Sequence, residues 1–73
     1  MEVRYDYSKL LGRLREKGYT QAQFAERLGM SEMSLNNKLN NKYDFKQSEI
    51  VAALSALDIP ASKTGAYFFT HKL

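Results

Sequence analysis

Two helix-start signals eleven residues apart, with a glycine between them, limit what this 73-residue chain can become. Thr20 and Gln23 match a capping box, in which a hydroxyl and a side-chain amide satisfy backbone N–H groups that a helix leaves unpaired. Tyr19 and Phe24 stand where a hydrophobic staple belongs. Gly29 then supplies a positive φ without steric cost, and Ser31 is a second N-cap, with Met30 placed to staple to Leu35. The stretch 20–40 therefore reads as two short helices joined by a tight reversal. Ala25 is small where their backbones meet, Gly29 turns the chain, and Leu35 locks the second helix onto the first.

The rest of the chain reads as support. The spacing of Tyr7, Leu10, Leu11 and Leu14 predicts a first helix over 7–17 with one apolar stripe, capped by Asp6 and ended by Gly18. Arg4 is the only cation of an arm over residues 1–5. Lys9, Arg13 and Lys17 recur on another face, read as solvated or as phosphate contacts. Residues 41–44 form a polar loop and Phe45 re-enters the core. A further helix over 47–57 turns Ile50, Val51, Leu54 and Leu57 inward. Its cap is either Asp44 or, if Phe45 staples to Ile50, Lys46. Asp58-Ile59-Pro60 breaks that helix. A last short helical turn over 61–66, weakened by Gly65, leads into an aromatic tail over 67–73. The fold class is all-α: a compact bundle of four to five short helices in a single domain over 1–73.

Composition narrows the chemistry. There is no cysteine and one histidine, His71, so disulfides, thiol chemistry and a histidine metal cluster are excluded. A chain this short without them is left with helix packing and dimerisation as its supports. No cofactor is expected, and no enzyme: no base lies near the serines and acids, and no glycine-rich loop cradles a phosphate. No run is long and apolar enough for a membrane span, and no signal peptide is evident, so the cytoplasm of a bacterial host is the expected location. The net charge is +3, and all of the excess lies in residues 1–46, which hold nine Lys/Arg against six Asp/Glu. Mildly basic charge is compatible with nucleic acid and equally with a solvated surface.

The helix after Ser31 carries Asn36, Asn37 and Asn40, although asparagine is a poor helix former. An asparagine can pair bidentately with adenine N6/N7, and Met33 offers an apolar contact to a thymine methyl. That face suits a helix lying in the DNA major groove, in a target containing A·T pairs.

The stretch QAQFAERLGMSEMSLNNKLN resembles the helix-turn-helix of the phage lambda repressor/Cro (XRE-like) superfamily over roughly residues 7–59. With its SKLLGRLREKG opening, LNNK loop and YFFT ending, the whole chain is similar to small phage and prophage proteins of that superfamily. The resemblance implies sequence-specific double-stranded DNA binding by a transcriptional regulator. It implies base reading by Ser31, Glu32, Met33, Asn36 and Asn37, and phosphate contacts by Gln21, Asn40, Asn41 and Lys42; Thr20 and Lys38 are further candidate phosphate contacts. Two positions depart from the superfamily's pattern: Lys38 stands where many members are apolar and Leu39 where many are polar. Glu32 either accepts from cytosine N4 or favours the positive end of the helix dipole.

One such unit covers a half-site, so a homodimer is expected, with Tyr67, Phe68 and Phe69 as the candidate surface. An extended tail would alternate Tyr67 and Phe69 with Phe68 on opposite faces; the alternative is a tail folded wholly onto its own domain. The chief rival is a protein-interaction module on the same fold, antitoxin-like or repressor-binding, that never touches DNA. A purely structural phage protein is a further reading.

Overall fold

The computed structural model describes residues 4–72. It is an all-α bundle: α1 over Ser8–Glu16, α2 over Gln21–Arg27, α3 over Glu32–Leu39, α4 over Gln47–Ala56, a 3-10 turn over Ala61–Lys63 and α5 over Thr64–Phe68. The side chains of Leu10, Phe24, Leu35, Leu57 and Phe68 are fully buried at its centre. α2 packs on α3 and α4, and α1 packs on α5.

The helix starts follow side-chain chemistry. At α2 the Thr20 hydroxyl accepts from the Gln23 N–H at 3.1 Å, and the Gln23 side chain accepts from the Thr20 N–H at 2.9 Å. At α3 Ser31 Oγ accepts from the Ser34 N–H at 3.1 Å. At α4 the cap position falls to Lys46, whose N–H donates to Glu49 Oε1 at 2.8 Å; Asp44 caps nothing. At α1 the chain enters one residue later than expected. Tyr7 holds the cap position, and Asp6 bonds instead to the Ser8 N–H at 2.9 Å.

Four helices end in one way. Gly18, Gly29, Asn41 and Asp58 all have positive φ, between 53° and 77°. In each case the residue after it donates back five positions: Tyr19 to Leu14, Met30 to Ala25, Lys42 to Asn37 and Ile59 to Leu54. This is the Schellman arrangement, which satisfies carbonyls that a helix end otherwise exposes. The two glycines were legible as stops; Asn41 and Asp58 perform the same task with a side chain to spare.

Asn41 uses that side chain over a long range. Its Oδ1 accepts from the Tyr5 N–H at 2.8 Å and its Nδ2 donates to the Tyr5 carbonyl at 3.0 Å, thirty-six residues away. Tyr5 also forms an antiparallel bridge with His71, while Asp6 N–H donates to Thr70 and Lys72 N–H to Arg4. The two ends of the chain thus form a small ribbon clipped to the end of α3. The expected arm at 1–5 lies partly outside the described residues; Arg4 and Tyr5 belong to this ribbon. Replacing Asn41 with Gly removes two partly buried hydrogen bonds. Replacing it with Ala removes them and also strains the backbone by about 1–2 kcal/mol. Urea unfolding should therefore rank the native chain above Asn41→Gly and Asn41→Ala lowest, with the glycine variant losing about 1–3 kcal/mol. Native stability in Asn41→Gly would show that the clip contributes nothing.

Two expectations about the C-terminal half are corrected. Val51 does not turn inward; it is 60% exposed. The buried face of α4 is centred on Ala53 and Leu57, both at 0% exposure, with Ile50 and Leu54 at its margin. At about 100° per residue this rotates the face away from Val51. Ala53 on α4 and Ala25 on α2 are both buried, and α4 packs on α2. The last helical turn also runs beyond its expected end at 66. Helix α5 continues through Phe68 despite Gly65, and the Phe69 N–H still donates to the Gly65 carbonyl. Phe68 is consequently buried in the core of its own chain, Tyr67 is half-buried, and Phe69 is the tail aromatic most open to solvent.

Candidate functional site

The turn between α2 and α3 sets the site. Leu35 anchors α3 from beneath, so the opposite side of α3 faces outward. Ser31, Glu32, Met33 and Asn36 are exposed there, and Met33 is 75% exposed. Gln21, at the start of α2, joins Glu32, Met33 and Asn36 in lining one shallow groove. The structure thus brings together most of the residues expected to read bases, with the glutamine expected on a phosphate beside them. Asn37 is half-buried, behind this face.

The other expected phosphate contacts are placed less openly. The Thr20 hydroxyl serves the capping box. The Asn40 amide donates to the Asn36 carbonyl at 2.9 Å, and Asn41 is committed to Tyr5. Lys42 is exposed. Lys38 is the largest departure. It points away from the groove and hydrogen-bonds Glu49 of α4, where the two side chains are 11% and 12% exposed. Burial alone would raise the Glu49 carboxyl. The Lys38 hydrogen bond, the Lys46 N–H and the charges of both lysines outweigh this and hold it below its ordinary value. This ion pair explains how a lysine can stand in so buried a place: its charge is neutralised from α4.

Electrostatics follow from this placement. Lys38 is the only cation between Arg27 and Lys42, and its charge is cancelled, so α3 itself presents one acid and no free cation. The α1 cations are also partly engaged. Arg13 Nε donates to the Leu57 carbonyl at 2.9 Å, where the end of α4 presents unpaired carbonyls, and Lys17 pairs with Asp58 at 2.7 Å. The hydrogen bond from Lys17 is the first reason the Asp58 carboxyl lies below its usual value. Exposed cations remain at Arg4, Lys9, Arg15, Arg27, Lys42, Lys46, Lys63 and Lys72.

Among the described residues no His, Asp and Glu gather as a metal-ligand group, and no helix is long and apolar enough to cross a membrane.

The sequence pattern of the family described as "Protein of unknown function (DUF739)" matches residues 3–71. The chain belongs to the DUF739 family. Among solved structures, this DUF739 protein is similar to the modulator of repression of the temperate bacteriophage TP901-1 from Lactococcus lactis, determined in solution. The two are 43% identical with a TM-score of 0.76, and the match covers 89% of this chain and 88% of the other. No curated protein matches the chain.

Two features of the site escaped sequence reasoning. The Lys38–Glu49 pair joins residues on different helices, and its only trace in the sequence was the unusual lysine itself. The Asn41 clip left no local signal beyond the taste of asparagine for positive φ.

Proposed function

We propose that this chain is a phage regulatory protein that modulates repression by binding a protein, most directly a phage repressor, through the exposed face of α3. The observation that carries this reading is the surface chemistry of that face. Met33 stands out at its centre, Glu32 and Asn36 flank it, Gln21 borders it, and the one lysine of α3 is neutralised by Glu49. An apolar anchor ringed by polar and acidic groups suits a protein partner, above all one whose own DNA-binding surface is basic. The similarity to a modulator of repression supports the same direction.

Met33→Asp tests it. The side chain is exposed, so the fold should persist, while binding to the purified phage repressor should weaken by tenfold or more (about 1.4 kcal/mol). Unchanged repressor binding by a folded Met33→Asp chain would refute the assignment of this face.

A second reading, duplex DNA binding by the same face, is favoured by the groove that joins Gln21 to Asn36 and by exposed Lys42 after α3. On that reading Asn36→Ala flattens preference among operator variants while non-specific binding persists. Lys42→Ala then weakens binding to all duplexes alike and lowers the salt slope by about one unit. Loss of sequence preference and general affinity together in Asn36→Ala would make Asn36 a positioning residue.

A further inference from the structure

A second surface, sharing no residue with the α3 groove, carries its own recognition chemistry. Tyr5, Tyr7, Phe45, Phe68 and Phe69 line a pocket between the terminal ribbon and the start of α4, with Asp44 at its edge. The rings meet largely edge to face: Tyr5–Phe69 at 5.9 Å and 84°, Tyr7–Phe45 at 5.4 Å and 77°, Phe45–Phe68 at 5.3 Å and 82°. Tyr7 and Phe68 lie buried beneath, so the rings that reach solvent here are half-buried Tyr5 and Phe45 and exposed Phe69, and aromatic faces carry negative π density. Asp44 is exposed, caps no helix, and among the described residues enters no ion pair or side-chain hydrogen bond. Burial first, and then the charge of Asp44, push the Tyr7 phenol up to about 12, so it stays neutral and Asp44 supplies the negative charge at the pocket.

Phe45, Ile50 and Phe69 also line a neighbouring apolar groove, which continues along α4 past Val51 and Leu54. Val51 and Phe69 are 60% and 49% exposed. The groove alone says nothing of its occupant, but its continuity with an acid-bearing aromatic pocket does. The geometry points to a binding site for an arginine side chain of a protein partner, its guanidinium held by the aromatic rings and Asp44, and its aliphatic neighbours lying over Ile50, Val51 and Leu54. Arginine fits better than lysine, because a planar guanidinium stacks on a ring and forks onto a carboxylate at once. A free small cation would leave the groove along α4 uncovered, whereas a chain segment covers both.

The probe is a capped peptide, acetyl-Leu-Arg-Leu-Leu-amide, compared with the same peptide carrying citrulline, which has nearly the shape of arginine and no charge. Both are titrated into the full chain while its NMR spectrum is followed. The expected result is saturable shifts at Phe45, Ile50, Val51 and Phe69, with the arginine peptide binding about tenfold more tightly than the citrulline peptide. Asp44→Asn, in an exposed loop, should leave the fold intact and bring the arginine peptide down to the citrulline level. Equal affinity for the two peptides, or no effect of Asp44→Asn, would overturn the proposal. So would shifts at these positions that follow protein concentration without peptide, since a second copy would then be covering the face. Because α3 contributes no residue here, failure of this site leaves the α3 assignment standing, and Met33→Asp should leave peptide binding unchanged.

Discussion

Leu35→Ala should unfold a large part of the population at physiological temperature. Leu35 is completely buried and holds α3 against α2. Truncating such a leucine removes its transfer free energy and leaves a cavity, a loss of about 2–5 kcal/mol. Domains near this length have roughly 4–11 kcal/mol in total. Thermal unfolding should show a fall of at least about 10 °C in Tm, because each kcal/mol is worth about 4–8 °C at this size. Leu35→Met, which nearly conserves volume, should lose less than about 1.5 kcal/mol. If the alanine variant melts within a few degrees of the native chain, α3 is not held by this contact and the outward orientation of Met33 loses its support.

The second large effect lies at Glu49. This carboxylate accepts from the Lys46 N–H at the start of α4 and from the Lys38 ammonium of α3, in a pair whose side chains are nearly buried. Glu49→Ala uncaps α4 and strands the ammonium, and should cost about 3 kcal/mol, near the low end for breaking a buried pair because some solvent reaches it. Lys38→Met together with Glu49→Gln is expected to remain within about 1 kcal/mol of the native chain, since an amide still accepts from Lys46 and no charge stays unpaired. A double variant as unstable as Glu49→Ala would contradict this account of the pair. The pH dependence has a fixed sign. Glu49 has a lowered carboxyl in the folded chain, so its contribution is fully present above about pH 4.5, its ordinary value, and disappears as pH falls through the lowered one. Acid unfolding followed in native and Glu49→Gln chains should show a shallower decline below that point in the variant.

Local chemistry was legible in the sequence, and partnership across the chain was not. Thr20, Gln23, Ser31, Gly18 and Gly29 act through backbone groups within a few residues, so their roles followed from spacing. Ala25 and Leu35 follow from the same short-range geometry. Val51 was misplaced because helical periodicity identifies an apolar stripe but not which part of it faces a neighbour. Ala53, too small to register as an anchor, lies at the centre of the buried face. The sequence leaves the tail open between an extended arm and one folded onto its own domain, and Gly65 favours ending the last helical turn at 66. Burial of Phe68 among Phe45 and its neighbours outweighs the preference and continues α5. At the candidate site, the outward set of Glu32, Met33 and Asn36 was readable from the position of Leu35. The charge of that face was not, because it depends on Glu49, eleven residues beyond Lys38 and on another helix.

The most direct test of the α3 assignment is one titration series across ionic strength, with the chain against the purified phage repressor and, separately, against random-sequence duplex DNA. A protein-binding face with no free cation on α3 predicts a saturable repressor complex that Met33→Asp disrupts. It also predicts duplex affinity that is weak and falls only gently with salt. A steep linear fall of duplex affinity with the logarithm of salt, with no repressor complex, would contradict it and leave DNA as the partner of α3.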